Sequence, residues 1–234
     1  MDKDLNSVGK DSSENILIVF LKYPKAGEVK RRLAADIGKK EAASLYKEFT
    51  EFILGEVKSD CYRIIIFYTP QSREKEVRSW LGDGFEYCPQ QGSDLGERMQ
   101  AAFKLVFDKG AKRAVIIGTD NPLVDRNILS EAFGKLRQNQ AVIGPCLDGG
   151  YYLLGLSSYS NEIFKDIAWG TDEVFEKTIG KLKQAGFKYE VLKKEFDIDN
   201  LEDIKLLEKE LKENKTSMPG GLRELLAKHI ANIG

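Results

Sequence analysis

The sequence AVIIGTDNP at residues 114–122 decides the fold class of this chain. Its apolar residues, AVII, predict a strand that is buried on both faces, and Gly118 and Pro122 mark where that strand ends. The strand therefore delivers Asp120 to its carboxyl end. Because ligands bind at that edge in open α/β sheets, Asp120 is a candidate ligand for a metal ion or a substrate.

The segments that precede this strand alternate between strand and helix patterns. Residues 16–21 and 64–68 are short apolar runs typical of strands, and residues 38–54 have apolar side chains at helical spacing. Asp94 is a candidate N-cap for a further helix. This alternation predicts a mostly parallel sheet with helices on both sides, which is an α/β fold with three layers.

The pattern changes after a predicted helix at residues 126–137. Two short apolar segments, residues 141–145 and 151–156, are separated only by CLDGG, which leaves no room for a crossover helix. We therefore expect some antiparallel pairing and a mixed sheet. The remaining elements predicted are a helix at residues 171–182, a strand at residues 189–192, a helix at residues 200–211 and an amphipathic helix at residues 222–233.

The domain organisation expected from the sequence is simple. The 234 residues, 42% hydrophobic and 31% charged, have the composition of an ordinary globular protein and suffice for a substantial core. We predict a disordered polar tail at residues 1–15, a single domain at residues 16–214 and a C-terminal helical extension at residues 215–234. That extension could pack on the domain or on a second subunit, in a homodimer.

Composition also narrows the function classes. The balance of 36 Lys and Arg against 37 Asp and Glu gives no electrostatic argument for nucleic-acid or membrane partners. No apolar run approaches the ~20 residues of a membrane span, and the polar, acidic start is unlike a signal peptide. We therefore expect a cytoplasmic protein. The single histidine, His229, and three widely spaced cysteines disfavour Ser-His catalysis and zinc binding.

A loop rich in cations follows the first predicted strand. We call residues 22–32, KYPKAGEVKRR, the basic loop. Its lysines, arginines and glycine could offer charge and backbone donors to a phosphate or diphosphate, although a solvated basic turn is the simpler alternative. It lacks the patterns of a P-loop and of a dinucleotide fold. The phosphate-binding residues predicted here are Lys22, Lys25, Gly27, Lys30 and Arg32.

Four carboxylates lie at predicted junctions between strands and loops: Asp120, Asp148, Asp197 and Asp199. Mg²⁺ or Mn²⁺ would use one or two of them together with phosphate oxygens. Asp199 could instead cap the following helix, and Asp148 could form a turn with Gly149. For Asp120 the structural alternative is weakest, because Pro122 ends the strand before any helix begins.

Glycines and polar groups elsewhere are weaker candidates for binding. Gly149 and Gly150 permit close approach of a ligand to the backbone. Gly92 and Arg98 flank a predicted helix start that could receive an anion or a base edge, although a capped helix is the simpler interpretation. Trp169 could stack on a base or a sugar, or be a buried anchor.

Taken together, these motifs resemble one known family. In chain order they are PKAGEVKRRL at 24–33, QGSDLGERM at 91–99, GTDNP at 118–122, GPCLDGGYY at 144–152, WGT at 169–171 and DID at 197–199. The ordered set resembles the radical-SAM/selenodomain-associated transferases of type one, also called arsenosugar-biosynthesis-type glycosyltransferases. The resemblance covers residues 16–210, nearly the whole chain.

The resemblance implies a nucleotide-diphospho-sugar transferase fold of the GT-A type, a three-layer α/β/α domain that works with a divalent cation. Molybdenum-cofactor and phospholactate guanylyltransferases share that fold. By analogy with them, the basic loop would hold the nucleotide phosphates and Asp120 would ligate the metal. Asp148, Asp197 or Asp199 would be the second acidic partner.

These expectations lead to a ranked set of functions. The first is a metal-dependent transferase that moves a sugar from a nucleotide diphosphate to a small acceptor, with Asp120 and Asp148 as catalytic residues and Asp148 as the base. The second is nucleotidyl transfer from a nucleoside triphosphate to a phosphorylated acceptor. The third is a catalytically inert nucleotide-binding or scaffold protein.

Overall fold

The computed structural model describes residues 14–213 and 221–230. The strands are β1 (Asn15–Lys22), β2 (Arg63–Thr69), β3 (Glu86–Pro89), β4 (Arg113–Ile117), β5 (Ala141–Pro145), β6 (Tyr151–Leu156) and β7 (Tyr189–Val191). Within these residues the strands form one sheet of seven, in the order β3-β2-β1-β4-β6-β5-β7. The first strand thus lies in the interior of the sheet, beside β4.

One strand, β6, runs against the others in the described sheet. It pairs antiparallel with β4 and with β5, whereas the remaining pairs are parallel. The short connection between β5 and β6 explains this reversal, because a parallel pair needs a crossover of a dozen or more residues. The mixed, mostly parallel sheet expected from the sequence is confirmed.

Helices cover both faces of the sheet. They are α1 (Leu33–Ile37), α2 (Lys39–Glu56), α3 (Glu74–Leu81), α4 (Leu95–Asp108), α5 (Arg126–Lys135), α6 (Val174–Gln184), α7 (Leu201–Glu213) and α8 (Leu222–Ile230). Apolar residues of α2, α3 and α5 pack on one face, and those of α4 and α6 pack on the other. The three-layer architecture is therefore confirmed. None of the described helices has both the length and the apolar character needed to cross a bilayer.

Strand β1 shows why the sheet is stable. Its residues Leu17, Val19 and Leu21 join the apolar cluster on one face, while Ile16, Ile18 and Phe20 join the cluster on the other. Successive side chains of a strand point to opposite faces, so a strand that is apolar throughout must be covered twice. Full burial of each such side chain contributes about 1.5–3 kcal/mol. Loops at the end of β1 therefore start from a fixed position.

A third apolar cluster anchors the segment before α7. It joins α1, α2, α7 and α8, and it includes Phe196 and Ile198, which are both buried. Because these two residues alternate with Asp197 and Asp199, their burial holds both carboxylates at the edge of the sheet.

The expected boundaries fall partly outside the described residues. Residues 1–13 of the predicted tail are not described, and Asn15 already belongs to β1. Of the predicted extension, residues 221–230 are described, and α8 packs against α2 and α7. The homodimer stays a prediction.

Candidate active site

A cavity of about 530 Å³ opens where β1 and β4 end. The basic loop forms one wall, and the residues after β4 together with those before α7 form another. The predicted site residues that line it are Lys22, Lys30, Arg32, Asp120, Asp197 and Asp199. The cavity lies at the carboxyl edge of a mostly parallel sheet, where α/β proteins bind ligands.

A backbone contact brings the separate carboxylates together. The N–H of Ile198 donates a hydrogen bond to the carbonyl oxygen of Asp120, at 2.9 Å. Asp197 and Asp199 stand on either side of Ile198, so the contact places both of them next to the end of β4. The sequence predicted this convergence from the strand ends, and the hydrogen bond supplies the geometry.

Lys30 lies between two of these carboxylates. Its Nζ contacts Asp120 and lies 3.1 Å from Oδ1 of Asp199, and its side chain is only 4% exposed. Burial alone would lower the pKa of Lys30, but the two carboxylates more than offset burial, so this pKa lies above its ordinary value. The side chain of Lys30 therefore carries a full positive charge although it is almost completely buried.

Asp199 is available for this ion pair because another residue caps the following helix. Asn200 Oδ1 accepts from the N–H of Asp203, and Asp203 Oδ2 accepts from the N–H groups of Asn200 and Asp199. Such reciprocal bonds are a capping box. The alternative interpretation of Asp199 as the helix cap is wrong, and its carboxylate instead faces Lys30 and, at 3.5 Å, Arg32.

Asp197 is the most perturbed carboxyl group of the cavity. Burial and the charge of Asp120 raise its pKa to about 7, against an ordinary value of 3.8, while Lys30 opposes the rise. Cys146 donates its S–H to Oδ1 of Asp197 across 3.5 Å. Asp197 therefore keeps its proton up to about pH 7.

A divalent cation fits this arrangement in one particular way. No set of three or more His, Cys, Asp or Glu side chains in the described residues is arranged to hold a metal unaided. Mg²⁺ commonly takes one or two carboxylates and completes its shell with water and phosphate oxygens. Asp120 and Asp199 have side chains that are 48% and 40% exposed, so both can reach such an ion.

The remaining residues of the basic loop have different partners. Lys22 lines the cavity and donates from Nζ to the carbonyl oxygen of Glu28, at 2.7 Å. Lys25 lies outside the cavity lining and pairs with the carboxylate of Glu28, at 2.6 Å. Gly27 adopts a φ of +82°, which favours glycine in this turn. Phosphate binding by Lys25 and Gly27 stays a prediction.

Two residues that the sequence interpretation missed build the cavity wall. The buried hydroxyl of Tyr46 accepts from the N–H of Lys22 and bonds to Oγ1 of Thr119, both at 2.9 Å. Gln90 Nε2 donates to backbone carbonyl oxygens of β1 and β2. Both residues line the cavity. Each of them bonds to two strand ends that are far apart in sequence, so no local sequence motif predicts its role.

The segment around the start of α4 is built from its own contacts. Asp94 accepts from the N–H of Glu97, which confirms the predicted N-cap. Arg98 donates from Nε to the carbonyl oxygen of Gly92, at 3.1 Å, and a Cβ on Gly92 would lie 2.8 Å from the nitrogen of Arg98. Neither Gly92 nor Arg98 lines the cavity. Their binding role stays a prediction.

Trp169 packs against the start of the same helix. A Cβ on Gly96 would lie only 2.1 Å from Nε1 of Trp169, so the indole ring lies directly on that glycine. Trp169 also packs against the apolar cluster on the α4 face. The contacts favour the interpretation of Trp169 as an anchor.

The β5–β6 turn, residues 146–150, is held by its own hydrogen bonds and by contacts with segments that follow β6. Asp148 is exposed, and its Oδ1 accepts from the N–H of Gly150 at 2.9 Å. Gly149 has a φ of +87°, and a Cβ there would lie 1.9 Å from the carbonyl oxygen of Asp172. The three residues lie outside the cavity lining, although the charge of Asp148 contributes to the raised pKa of Asp197.

Comparison with known families places this site in context. The model of a bacterial family, described as "Uncharacterized protein conserved in bacteria (DUF2064)", matches residues 54–171, half of the chain. The chain belongs to this family. A comparison of this DUF2064 protein with curated protein sequences gave no match.

Solved structures confirm the fold of the DUF2064 chain. A protein from Desulfovibrio desulfuricans G20, provisionally named a nucleotide-diphospho-sugar transferase, is 34% identical, with a TM-score of 0.87, and the match covers 94% of this chain and 97% of that one. The 4-diphosphocytidyl-2C-methyl-D-erythritol synthase of Anaerococcus prevotii DSM 20548 shares 13% identity, with a TM-score of 0.56 and coverage of 88% and 99%. A cytidylyltransferase from Leptospira borgpetersenii has 14% identity, a TM-score of 0.53 and coverage of 94% and 97%. The last two show the fold alone.

Proposed function

We propose that this protein is a metal-dependent transferase that binds a nucleotide-diphospho-sugar in the cavity and transfers the sugar to a small acceptor. The observation that supports it most is the meeting of opposite charges in one cavity. Lys22, Lys30 and Arg32 line the cavity together with Asp120 and Asp199. A diphosphate needs the cations, and a metal that bridges to it needs the carboxylates.

Each group has a distinct proposed task. Lys22, Lys30 and Arg32 bind the diphosphate, and Asp120 with Asp197 or Asp199 would hold Mg²⁺ or Mn²⁺. When bound, the metal neutralises charge on the leaving diphosphate. Asp148 would be the base for the acceptor hydroxyl, because the β5–β6 turn holds it close enough to influence the pKa of Asp197.

One of the comparisons supports sugar transfer as the proposed reaction type. The structure that is 34% identical over nearly the whole chain is provisionally named a nucleotide-diphospho-sugar transferase. The ordered motifs resemble the arsenosugar-biosynthesis type of glycosyltransferase, which belongs to the same superfamily. A nucleotide-sugar donor and a small hydroxylated acceptor are therefore the proposed substrates.

Nucleotidyl transfer is the second candidate, and the cation count favours it. Arg31 also lines the cavity beside Lys22, Lys30 and Arg32, and a triphosphate presents more negative charge to these four cations than a diphosphate does. In this reaction a phosphorylated acceptor attacks the α-phosphate of a nucleoside triphosphate, and inorganic diphosphate leaves. Two structures of the same fold are named as cytidylyl-transferring or diphosphocytidyl-forming enzymes.

Product analysis distinguishes the two candidates. The protein is incubated with Mg²⁺ or Mn²⁺ and either nucleoside triphosphates or UDP- and GDP-sugars, together with candidate acceptors. Release of a nucleoside diphosphate from a nucleotide sugar supports the first proposal, and release of inorganic diphosphate from a triphosphate supports the second. Thermal-shift titration runs in parallel, since a ligand that binds the native state raises its apparent stability. If no nucleotide stabilises the protein, both proposals fail and a scaffold role is favoured.

A further inference from the structure

The contacts of Lys30 imply a coupling between the two halves of the cavity. We propose that Lys30 is an internal counter-ion that competes with the divalent cation for Asp120 and Asp199, so that the metal binds tightly only together with phosphate. The inference deepens the proposed function and rests on it. Besides contacting the diphosphate, Lys30 thereby sets the metal affinity of the two carboxylates.

The first step of the argument is charge. A metal ion that binds Asp120 needs carboxylate oxygens that the ammonium of Lys30 already contacts. Two cations that share one pair of carboxylates repel each other, and the repulsion is strong because Lys30 is only 4% exposed and little screened by water. In the absence of a further anion, Lys30 therefore weakens metal binding.

The second step is what phosphate changes. Lys30 lines the same cavity as Lys22, so a diphosphate bound there would offer its ammonium a second anionic partner. The backbone of Lys30 has a φ of +44°, which residues other than glycine rarely adopt. Moving the ammonium toward phosphate would free both carboxylates. Coupling of this kind is reciprocal, so metal also tightens nucleotide binding.

The third step compares Lys30 with the neighbouring cations, which are not both buried and in contact with the two carboxylates. Arg32 approaches Asp199 at 3.5 Å, but its side chain is 79% exposed and therefore well screened. Lys22 directs its Nζ to the backbone carbonyl of Glu28. Lys30 is almost completely buried and contacts both carboxylates. We therefore expect its substitution to change the metal affinity more than substitution of Lys22 or Arg32.

The test measures the affinity of the protein for Mn²⁺ in the absence of nucleotide. Free Mn²⁺ is followed by electron paramagnetic resonance during titration of wild type, Lys30→Met, Lys30→Arg and the control Lys104→Met, without nucleotide. Lys104 is an exposed lysine that pairs with Asp108 on α4, so its substitution changes charge equally. We expect Lys30→Met to bind Mn²⁺ at least tenfold more tightly than wild type, which is about 1.4 kcal/mol. Lys30→Arg and Lys104→Met should bind no more tightly than wild type.

An Mn²⁺ affinity of Lys30→Met equal to that of wild type overturns the inference. A purely structural role for Lys30 predicts weaker metal binding in the variant, never tighter. Circular dichroism checks that the variant is folded. If it is not, Lys30→Gln takes its place in the same titration without nucleotide, and an Mn²⁺ affinity equal to that of wild type again contradicts the inference.

The two proposals fail in different ways. If no nucleotide or nucleotide sugar binds, the proposed function fails, while tighter Mn²⁺ binding by Lys30→Met still supports the counter-ion. If nucleotides bind with metal but Lys30→Met gains no Mn²⁺ affinity, the counter-ion fails and the proposed function stands.

Discussion

The basic loop and the β5–β6 turn look alike in sequence and differ in structure. Both follow a buried strand, and both combine glycine with charged residues. In the basic loop, Lys30 contacts carboxylates from two other segments. In the turn, Asp148 bonds to its own Gly150, and Gly149 packs on the backbone of Asp172. A charged side chain that lines a cavity and meets carboxylates there indicates a binding site, whereas a carboxylate that bonds within its own turn indicates a structural element.

Removing the carboxylate that faces the basic loop should have the largest effect. Asp120→Asn leaves the shape but removes the charge that Lys30 and a metal would share. We expect the metal-dependent affinity for a nucleotide to fall by about 10²- to 10³-fold. Calorimetric titration with and without Mn²⁺ measures it. Unchanged metal-dependent affinity would mean that the two sides of the cavity do not act together.

The sequence predicted the parts of this cavity but not their contacts. Asp120 and the carboxylates near residues 197–199 were identified because apolar runs locate strand ends, and parallel strands end at one edge. The ion pairs of Lys30 were not predictable, since Lys30 and Asp199 are 169 positions apart. The edge strand β3 was missed because Glu86–Pro89 is short, polar and ends in proline, unlike an interior strand.

The β5–β6 turn shows a different limit of prediction from sequence. Gly149 was interpreted as making room for a ligand, because a glycine pair permits close approach. The group that approaches is the backbone of Asp172, from a segment that follows β6. A sequence motif reports that space is needed, and it does not report what fills the space.

The acidic side of the cavity should also show in the pH dependence of stability. The folded protein keeps the proton of Asp197 up to about pH 7, whereas the unfolded chain releases it near its ordinary pKa of 3.8. The free energy of unfolding therefore decreases as pH rises from the unfolded pKa to the folded one. The total decrease is about 4 kcal/mol once Asp197 is fully ionised. Asp197→Asn should remove this loss.

Urea unfolding of the metal-free protein at pH 5 and pH 8 measures the effect. The difference in unfolding free energy between Asp197→Asn and wild type should grow toward pH 8. An equal difference at both pH values would show that Asp197 does not titrate in this range.

Substitution in the β5–β6 turn should reduce stability rather than binding. In Gly149→Ala the new Cβ meets the backbone of Asp172 at a positive φ, so we expect a loss of about 3 kcal/mol in unfolding free energy. Gly180→Ala is the control, because no atom other than its chain neighbours and its own helical backbone lies within 4 Å of the position that a Cβ would take there, and it should be neutral or slightly stabilising. Nucleotide affinity of the folded Gly149→Ala protein should match that of wild type.

Asp148 tests whether the turn contributes to the chemistry. If it is the base, Asp148→Asn should lower kcat by about 10²-fold and leave the affinity for nucleotide and metal within twofold. Steady-state kinetics, once the acceptor is known, and calorimetry separate the two effects. Unaltered kcat would assign the β5–β6 turn to structure alone.

The central claim is that nucleotide phosphates and a divalent cation meet between the basic loop and Asp120. Anomalous diffraction from crystals soaked with Mn²⁺ and UDP tests it most directly. We expect one manganese peak about 2.0–2.2 Å from a carboxylate oxygen of Asp120, with the diphosphate bridging from it to Lys22 and Lys30. A nucleotide bound away from the basic loop, or a manganese ion that does not touch Asp120, would contradict the account.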